Sequence, residues 1–416
     1  MTLATSGGGV ASSYQELAGR FRPIFERIGA GAVEREDQRR LPYEEVRWLK
    51  EAGFGALRVP AEFGGADISL VDLVRLLIEL AEADSNLPQL LRGHIGFVET
   101  ERARPDSPHK TEWFERIARR EILFGNAQSE RSATSGPSTT LEERDGRLVL
   151  NGRKYYSTGT LFADWIWSGA KFGEGTVGLA VPTADPGVTR IDDWDGFGQR
   201  LTGSGTTIFE EVAIDRAHVL SWAESEEDRS FAYVTGVYQL VLLASLAGIA
   251  RRAVRDAVAF VQPRTRIFGM PGNASPRDEP LVQRVVGRVG SIAFSAEATV
   301  LEAARRLEEA DLGRRFDESD EERYYTALVA VYEAQQVVID QVLQATSLIF
   351  EVGGASATSV NLHLDRLWRN ARTISSHNPA IYRERMVGDF LLNGTLPKSL
   401  LQQTREKQGG PVTSAG

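Results

Sequence analysis

Leu148-Val149-Leu150-Asn151-Gly152-Arg153-Lys154-Tyr155-Tyr156-Ser157 is the stretch that divides this chain of 416 residues. Two β-forming runs flank Asn151-Gly152, the dipeptide best suited to a two-residue loop because both of its positions tolerate positive φ. The stretch therefore predicts a β-hairpin, in a chain whose flanks read as helix. Around it, Trp165 and Trp167 alternate with Ile166 and Ser168, and Val177 to Val181 and Thr206 to Ile214 have strand character. A compact β domain over 121–220 follows.

Upstream, Leu17, Phe21, Ile24 and Ile28 recur at helical spacing, and Tyr43 to Ala52 ends at Gly53. Ser69, followed three residues later by Asp72, is a capping-box signal ahead of the apolar stripe Leu70, Leu73, Leu76 and Leu77. These patterns predict a helical domain over 14–120. Downstream of Ser221, long periodic segments at roughly Arg229 to Val261, Pro280 to Leu312 and Glu321 to Glu351 predict a four-helix bundle within 221–400. The fold class is α+β, mostly α. Segment 1–13 and the end of the 401–416 tail, Gly409 to Gly416, are small and polar and are expected to be disordered.

Composition narrows the function. A net charge of -9 and a pI near 5.4 argue against nucleic acid as a partner, since phosphate binding needs a basic face. The absence of cysteine excludes disulfides, thiolate nucleophiles and Cys-ligated metals, and no metal site is predicted. The N-terminus lacks the basic and apolar regions of a signal peptide. The longest strongly apolar stretch, Val237 to Ala250, falls short of the ~20 residues of a membrane helix. A cytoplasmic protein, off the membrane, is expected.

Several motifs resemble a known family. Val59-Pro60-Ala61-Glu62-Phe63-Gly64-Gly65, Asn151-Gly152-Arg153-Lys154, and Gly353-Gly354 with Arg366-Leu367-Trp368-Arg369-Asn370-Ala371-Arg372 resemble segments of the acyl-CoA dehydrogenases. Gly125-Asn126-Ala127-Gln128-Ser129-Glu130, Asp192-Asp193-Trp194 running to Arg200 and Ser204, His377-Asn378-Pro379 and Leu392-Asn393-Gly394 resemble the flavin-dependent monooxygenase branch, which acts on dibenzothiophene, alkanesulfinates and sulfones. The likeness spans roughly residues 14 to 400. It implies a helical domain, a middle β-barrel and a C-terminal bundle assembled as a homotetramer.

Chemistry separates the two branches. A dehydrogenase needs a carboxylate to remove a weakly acidic proton α to a thioester. At the two positions where the resemblance places that Glu stand Asn378 and Tyr238, and no acidic residue lies between Ser375 and Arg383 or between Phe231 and Arg252. The resemblance then implies a two-component monooxygenase that receives reduced FMN from an NAD(P)H-dependent flavin reductase and works through a C4a-hydroperoxyflavin. Such chemistry asks for a dry pocket and a few hydrogen bonds. FMN is favoured over FAD because Phe350 replaces the Gln that touches the adenylate half. The implied substrate is a small organic molecule oxygenated at a heteroatom, sulfur first. The rival readings are an N-oxygenase of an amine or amino sugar, a dehydrogenase with a relocated base, and a non-enzymatic flavin scaffold.

The resemblance also implies site residues. His94, His377, Asn126 and Thr158 are the expected catalytic groups, the histidines because an imidazole near neutrality can give or take a proton. Asn126, Ser129, Thr158 and Ser204 are expected around the flavin, with Arg264 and Arg266 reaching its phosphate from a neighbouring subunit. Trp194, Ile374 and Asn378 are expected to line the substrate pocket. Ile374 departs from the dibenzothiophene enzymes, which have a second histidine there, and implies a different polar network.

Overall fold

The computed structural model describes residues 14–104, 107–130, 138–221, 231–266, 275–314 and 321–398. Segment 1–13 and the 401–416 tail, whose ends are expected to be disordered, lie outside the described residues. Six helices come first: α1 Tyr14–Ala30, α2 Ala32–Gln38, α3 Tyr43–Glu51, α4 Leu70–Ala83, α5 Asn86–Ala103 and α6 Pro108–Ala118. The predicted cap is present, with the Asp72 amide donating to Ser69 Oγ at 2.9 Å and so satisfying one open N–H of the first turn of α4.

Eight strands follow: β1 Phe124–Ala127, β2 Thr140–Arg144, β3 Arg147–Ser157, β4 Trp165–Phe172, β5 Gly175–Pro182, β6 Val188–Ile191, β7 Gly205–Ile214 and β8 Val219–Ser221. They form one mixed sheet in the order β6-β7-β3-β2-β4-β5-β8, with β1 lying parallel to β4. Side chains from seven of them, among them Leu150, Ile166, Leu179 and Phe209, share one apolar core.

The hairpin is displaced from its expected place. Asp145 and Gly146, both at positive φ, make the two-residue turn between β2 and β3. Asn151-Gly152 instead interrupts the register of β3 against β7 as a bulge. The Asn151 side chain spans that gap, accepting from the Glu211 amide at 2.8 Å and donating to the Glu211 carboxylate at 2.7 Å. Gly152 is needed there, since its φ is +150 and a Cβ would lie 2.5 Å from Thr139 Cα. Asn-Gly suits a positive-φ step in either setting, so the dipeptide alone does not separate turn from bulge.

The C-terminal helices are α7 Phe231–Val261, α8 Pro280–Arg314, α9 Glu321–Leu348, α10 Asp365–His377 and α11 Ala380–Asn393. Helix α7 is long and apolar enough to cross a membrane by length and composition, yet most of that stretch is buried against its neighbours. Its apolar residues belong to the same core as those of α1, α4, α5, α8 and α9, so the first and last helical layers are fused through α7. A third core, with Val59, Phe97, Trp113 and Phe124, joins the N-terminal helices to the sheet. A cavity opens where the three layers meet.

Candidate active site

The cavity encloses about 740 Å³, in the upper part of the ~300–1,000 Å³ usual for ligand pockets. Its sheet side starts at β1, which is held close to α5 by glycine: a Cβ on Gly93 would lie 2.6 Å from Asn126 Cβ. The Asn126 amide N–H donates to Thr158 O at 3.1 Å, and its side chain donates to Tyr238 Oη at 3.3 Å. Gly96, one turn on in α5, clears the space for that tyrosine ring.

Thr158 follows a strained corner. Tyr156 has φ +56, unusual for an aromatic residue, and Gly159 at +79 lies where a Cβ would meet Leu90 O at 2.5 Å. From this corner a row of buried hydroxyls runs inward. Thr202 Oγ1 donates to Gln199 O at 3.0 Å, so it accepts from Ser204 Oγ at 2.7 Å. Ser204, its hydrogen thus used, accepts from Thr158 Oγ1 at 2.9 Å. The Thr158 hydroxyl is left presenting lone pairs, an acceptor for an N–H in the cavity.

The loop between β6 and β7 supplies the aromatic wall. Asp192 pairs with Arg39 and Asp193 accepts from the Thr206 amide and hydroxyl, both at 2.7 Å. These ties leave Trp194 turned back, its indole N–H on Gly198 O at 3.0 Å and its ring edge-on to Tyr156 at 5.9 Å. Behind Ser129, the buried Lys154 ammonium pairs with Glu130. Burial raises the Glu130 carboxyl, but Lys154 and the Ser138 and Thr139 groups outweigh it and hold the pKa down at about 2.

Helices α5, α7, α10 and α11 supply the inner wall. Arg92 Nη2 donates to His377 Nε2 at 2.9 Å, and its guanidinium lies 4.8 Å from the centre of the Tyr238 ring. Burial lowers Arg92 to about 10 and raises Tyr238 to about 12. His377 is surrounded by protein yet open to the cavity. Burial first and the Arg92 charge second hold it at about 3. Asn378 Nδ2 donates to Gln239 Oε1 at 3.0 Å, and Arg383 Nη1 donates to the same oxygen and to Gln335 Oε1.

Asn126, Ser129, Thr158, Ser204, Trp194, Ile374, His377 and Asn378 therefore meet at one cavity. His94 does not. Its Nδ1 accepts from the Phe124 amide at 3.2 Å and its Nε2 donates to Gly55 O at 2.9 Å, so both ring nitrogens are used on backbone. The expected catalytic role of His94 is corrected to a structural one, and burial lowers its pKa to about 4 in keeping with the neutral ring. At His377 the Arg92 donor on Nε2 works against a second positive charge and helps hold the pKa below the usual imidazole range.

Arg264 and Arg266 lie beyond the far end of α7, Arg264 over the Phe260 ring at 4.5 Å and Arg266 exposed. From Tyr238 to Val261 the helix rises about 35 Å, so within one chain they are remote from the cavity. The residues that sequence reading missed are Arg92, Arg383, Gln239 and Gln335. Arg92 carries the one visible signal, a charge set between Leu91 and Gly93 in an otherwise apolar run.

The hydroxyl row, the Asn126 amide and the Trp194 wall fit a flat, polar-edged ring such as a flavin. Comparison with known proteins agrees with this geometry. Residues 14–121 match the acyl-CoA dehydrogenase N-terminal domain and residues 240–380 the acyl-CoA dehydrogenase C-terminal domain. The chain is 29% identical to the probable FMNH2-dependent monooxygenase SfnC of Pseudomonas putida, over 92% of this chain and 94% of that one. It is similar to TdsC of Paenibacillus sp. A11-2, a dibenzothiophene monooxygenase solved with FMN and indole, at 26% identity and a TM-score of 0.83 over 92% and 98% of the two chains. It is also similar to the methanesulfinate monooxygenase MsuC of Pseudomonas fluorescens, at 26% identity and a TM-score of 0.82 over 94% and 99%.

Proposed function

Because the chain belongs to the acyl-CoA dehydrogenase family, we propose that it is a two-component flavin-dependent monooxygenase that adds one oxygen atom to a heteroatom, sulfur first, of a small organic substrate. The observation that carries this reading is the inner wall of the cavity. Where a desaturating enzyme needs a carboxylate, this chain has the Asn378 amide and the Tyr238 phenol, flanked by Arg92 and Arg383. Among the described lining residues the single carboxylate is Asp195, which is exposed beside Trp194.

FMN is the proposed cofactor, delivered reduced by a separate NAD(P)H-dependent flavin reductase in the cytoplasm. Once bound, reduced FMN supplies the two electrons that activate oxygen. The chain's part is to hold and enclose it. The Thr158 acceptor, the Asn126 amide, Ser129 and Ser204 lie where they can fix the polar edge of the ring, and Trp194 and Ile374 keep water from it. His377, with Nε2 on Arg92 and its ring also bonded to the Asn378 side chain and its own backbone, is held in one orientation at the cavity, so it positions a neighbouring group rather than acting as an imidazolium acid.

The proposed assembly is a homotetramer. Exposed Leu281, Phe294, Ile381, Leu391 and Leu392 on α8 and α11 support it as apolar surface awaiting a partner. In that assembly Arg264 and Arg266 would serve the flavin phosphate of another subunit. Rapid mixing of the protein with reduced FMN and then oxygenated buffer tests the main reading. A transient absorbance that precedes oxidised FMN by seconds is expected, and immediate reoxidation at the rate of free FMN counts against a monooxygenase.

A further inference from the structure

The inner wall holds two guanidinium groups that meet only neutral acceptors. Arg92 touches His377 Nε2 and the Tyr238 ring, and its Nε is buried with no partner. Arg383 touches the Gln239 and Gln335 side-chain oxygens and lies 4.6 Å from the centre of the Tyr332 ring. The two cations are near enough that the charge on Arg383 depresses Arg92. Four buried cations elsewhere meet carboxylates: Arg35 with Asp84, Arg58 with Glu99, Lys154 with Glu130, Arg366 with Asp256.

Two half-buried like charges facing one cavity are unfavourable unless an anion joins them. The planar fork of arginine matches two oxygens on one centre, and the acceptors now occupied are weak neutral ones that an anion can replace. We propose that Arg92 and Arg383 form the seat of an oxyanion head, so that the substrates of this chain are small organic anions, either sulfinates oxygenated at the head itself or molecules that carry a sulfonate or carboxylate head beside a separate oxidisable heteroatom, rather than neutral thiophenes or sulfides. The proposal rests on the preceding reading of the cavity as a substrate site. The hydroxyl row at Thr158 and Ser204 lies on the sheet-derived part of the lining, apart from the helices that carry the arginines, which leaves the arginine wall to the second molecule.

Calorimetric titration of the full-length protein with FMN bound tests this without turnover. The probes are butanesulfonate and, as the neutral counterpart, dibutyl sulfone. Butanesulfonate is expected to bind at least tenfold more tightly than the sulfone. Arg92→Met and Arg383→Met are each expected to remove at least tenfold of the sulfonate affinity, with sulfone affinity, FMN affinity and unfolding temperature unchanged. Equal binding of the two probes, no sulfonate binding, or sulfonate binding untouched by both substitutions overturns the proposal. Loss of FMN affinity in the variants also overturns it, by assigning the arginines to the flavin's own charge. Because the titration involves no oxygen, its failure is distinct from failure of the mixing experiment.

Discussion

Arginines packed into the fold occur in two regions of this molecule under opposite conditions, fully buried in one and half-buried in the other. Between the N-terminal helices and α7, Arg58 Nε meets Glu99 at 2.5 Å, and the Tyr233 hydroxyl closes the triad by donating to Glu99 at 2.8 Å. Arg35 likewise meets Glu45 at 2.9 Å and Asp84 at 2.8 Å. On the cavity wall Arg92 and Arg383 meet an imidazole, two side-chain amides and aromatic faces. A charge paired inside the fold joins elements to one another. A half-buried charge without a counter-ion adds nothing to that joining and marks where a ligand supplies what the chain omits.

The largest effect is expected on the paired side. Burial raises the Glu99 carboxyl, but Arg58 and Arg102 outweigh it and the net shift is downward, so Glu99 is ionised in the fold. Glu99→Gln keeps the shape and leaves the Arg58 cation uncompensated, which costs roughly 3–5 kcal/mol. A urea unfolding midpoint lowered to match is the expected result. The double variant Glu99→Gln/Arg58→Met is expected to recover most of the loss, since no buried charge remains. If the single variant loses under about 1 kcal/mol, the pair is not the joint described above.

The histidines repeat the contrast on a smaller scale. His94 is fully buried, with a folded pKa near 4 against 6.5 unfolded, so the unfolded chain binds the extra proton between those values. Its contribution is intact above about pH 6.5 and is lost as pH falls toward 4, by roughly 3 kcal/mol at most. His94→Gln is expected to flatten the fall in thermal stability between pH 7 and 4.5. His377 shifts in the same direction, so His377→Ala should flatten that slope too, and what sets it apart is that it should also slow oxygen transfer. An unchanged slope in His94→Gln refutes the structural assignment of His94.

What could be read from the sequence follows the range over which each signal acts. Helical stripes such as Leu70, Leu73, Leu76 and Leu77 and the Ser69 cap are local, and they appear as expected in α4. The Asn151-Gly152 dipeptide is local too, but whether it turns the chain or bulges depends on β7, 60 residues on, whose Glu211 it binds. Most flavin-side candidates came from motif resemblance and meet at one cavity. His94 was misassigned because resemblance fixes a position along α5, not the face of the helix. Arg92 lies two residues earlier and faces the cavity. Arg383 gave no signal, since its neutral surroundings come from α7 and α9, distant in sequence and adjacent in space.

The smallest expected effect is the one that most sharpens the comparison. Arg92→Met keeps an unbranched apolar stem against Tyr238 and deletes a cation that no carboxylate compensates. The lost cation–π contact and the lost hydrogen bond to His377 are each worth about 1 kcal/mol, and removal of the desolvation cost offsets them. The unfolding free energy of Arg92→Met should therefore lie within about 1 kcal/mol of the parent, beside a loss several times larger for Glu99→Gln. His377, freed of the neighbouring charge, should titrate closer to its ordinary range, a shift that imidazole proton NMR can follow. A loss of 3 kcal/mol or more would make Arg92 a structural cation like Arg58, and the cavity wall would then lose its claim to differ from the rest of the core.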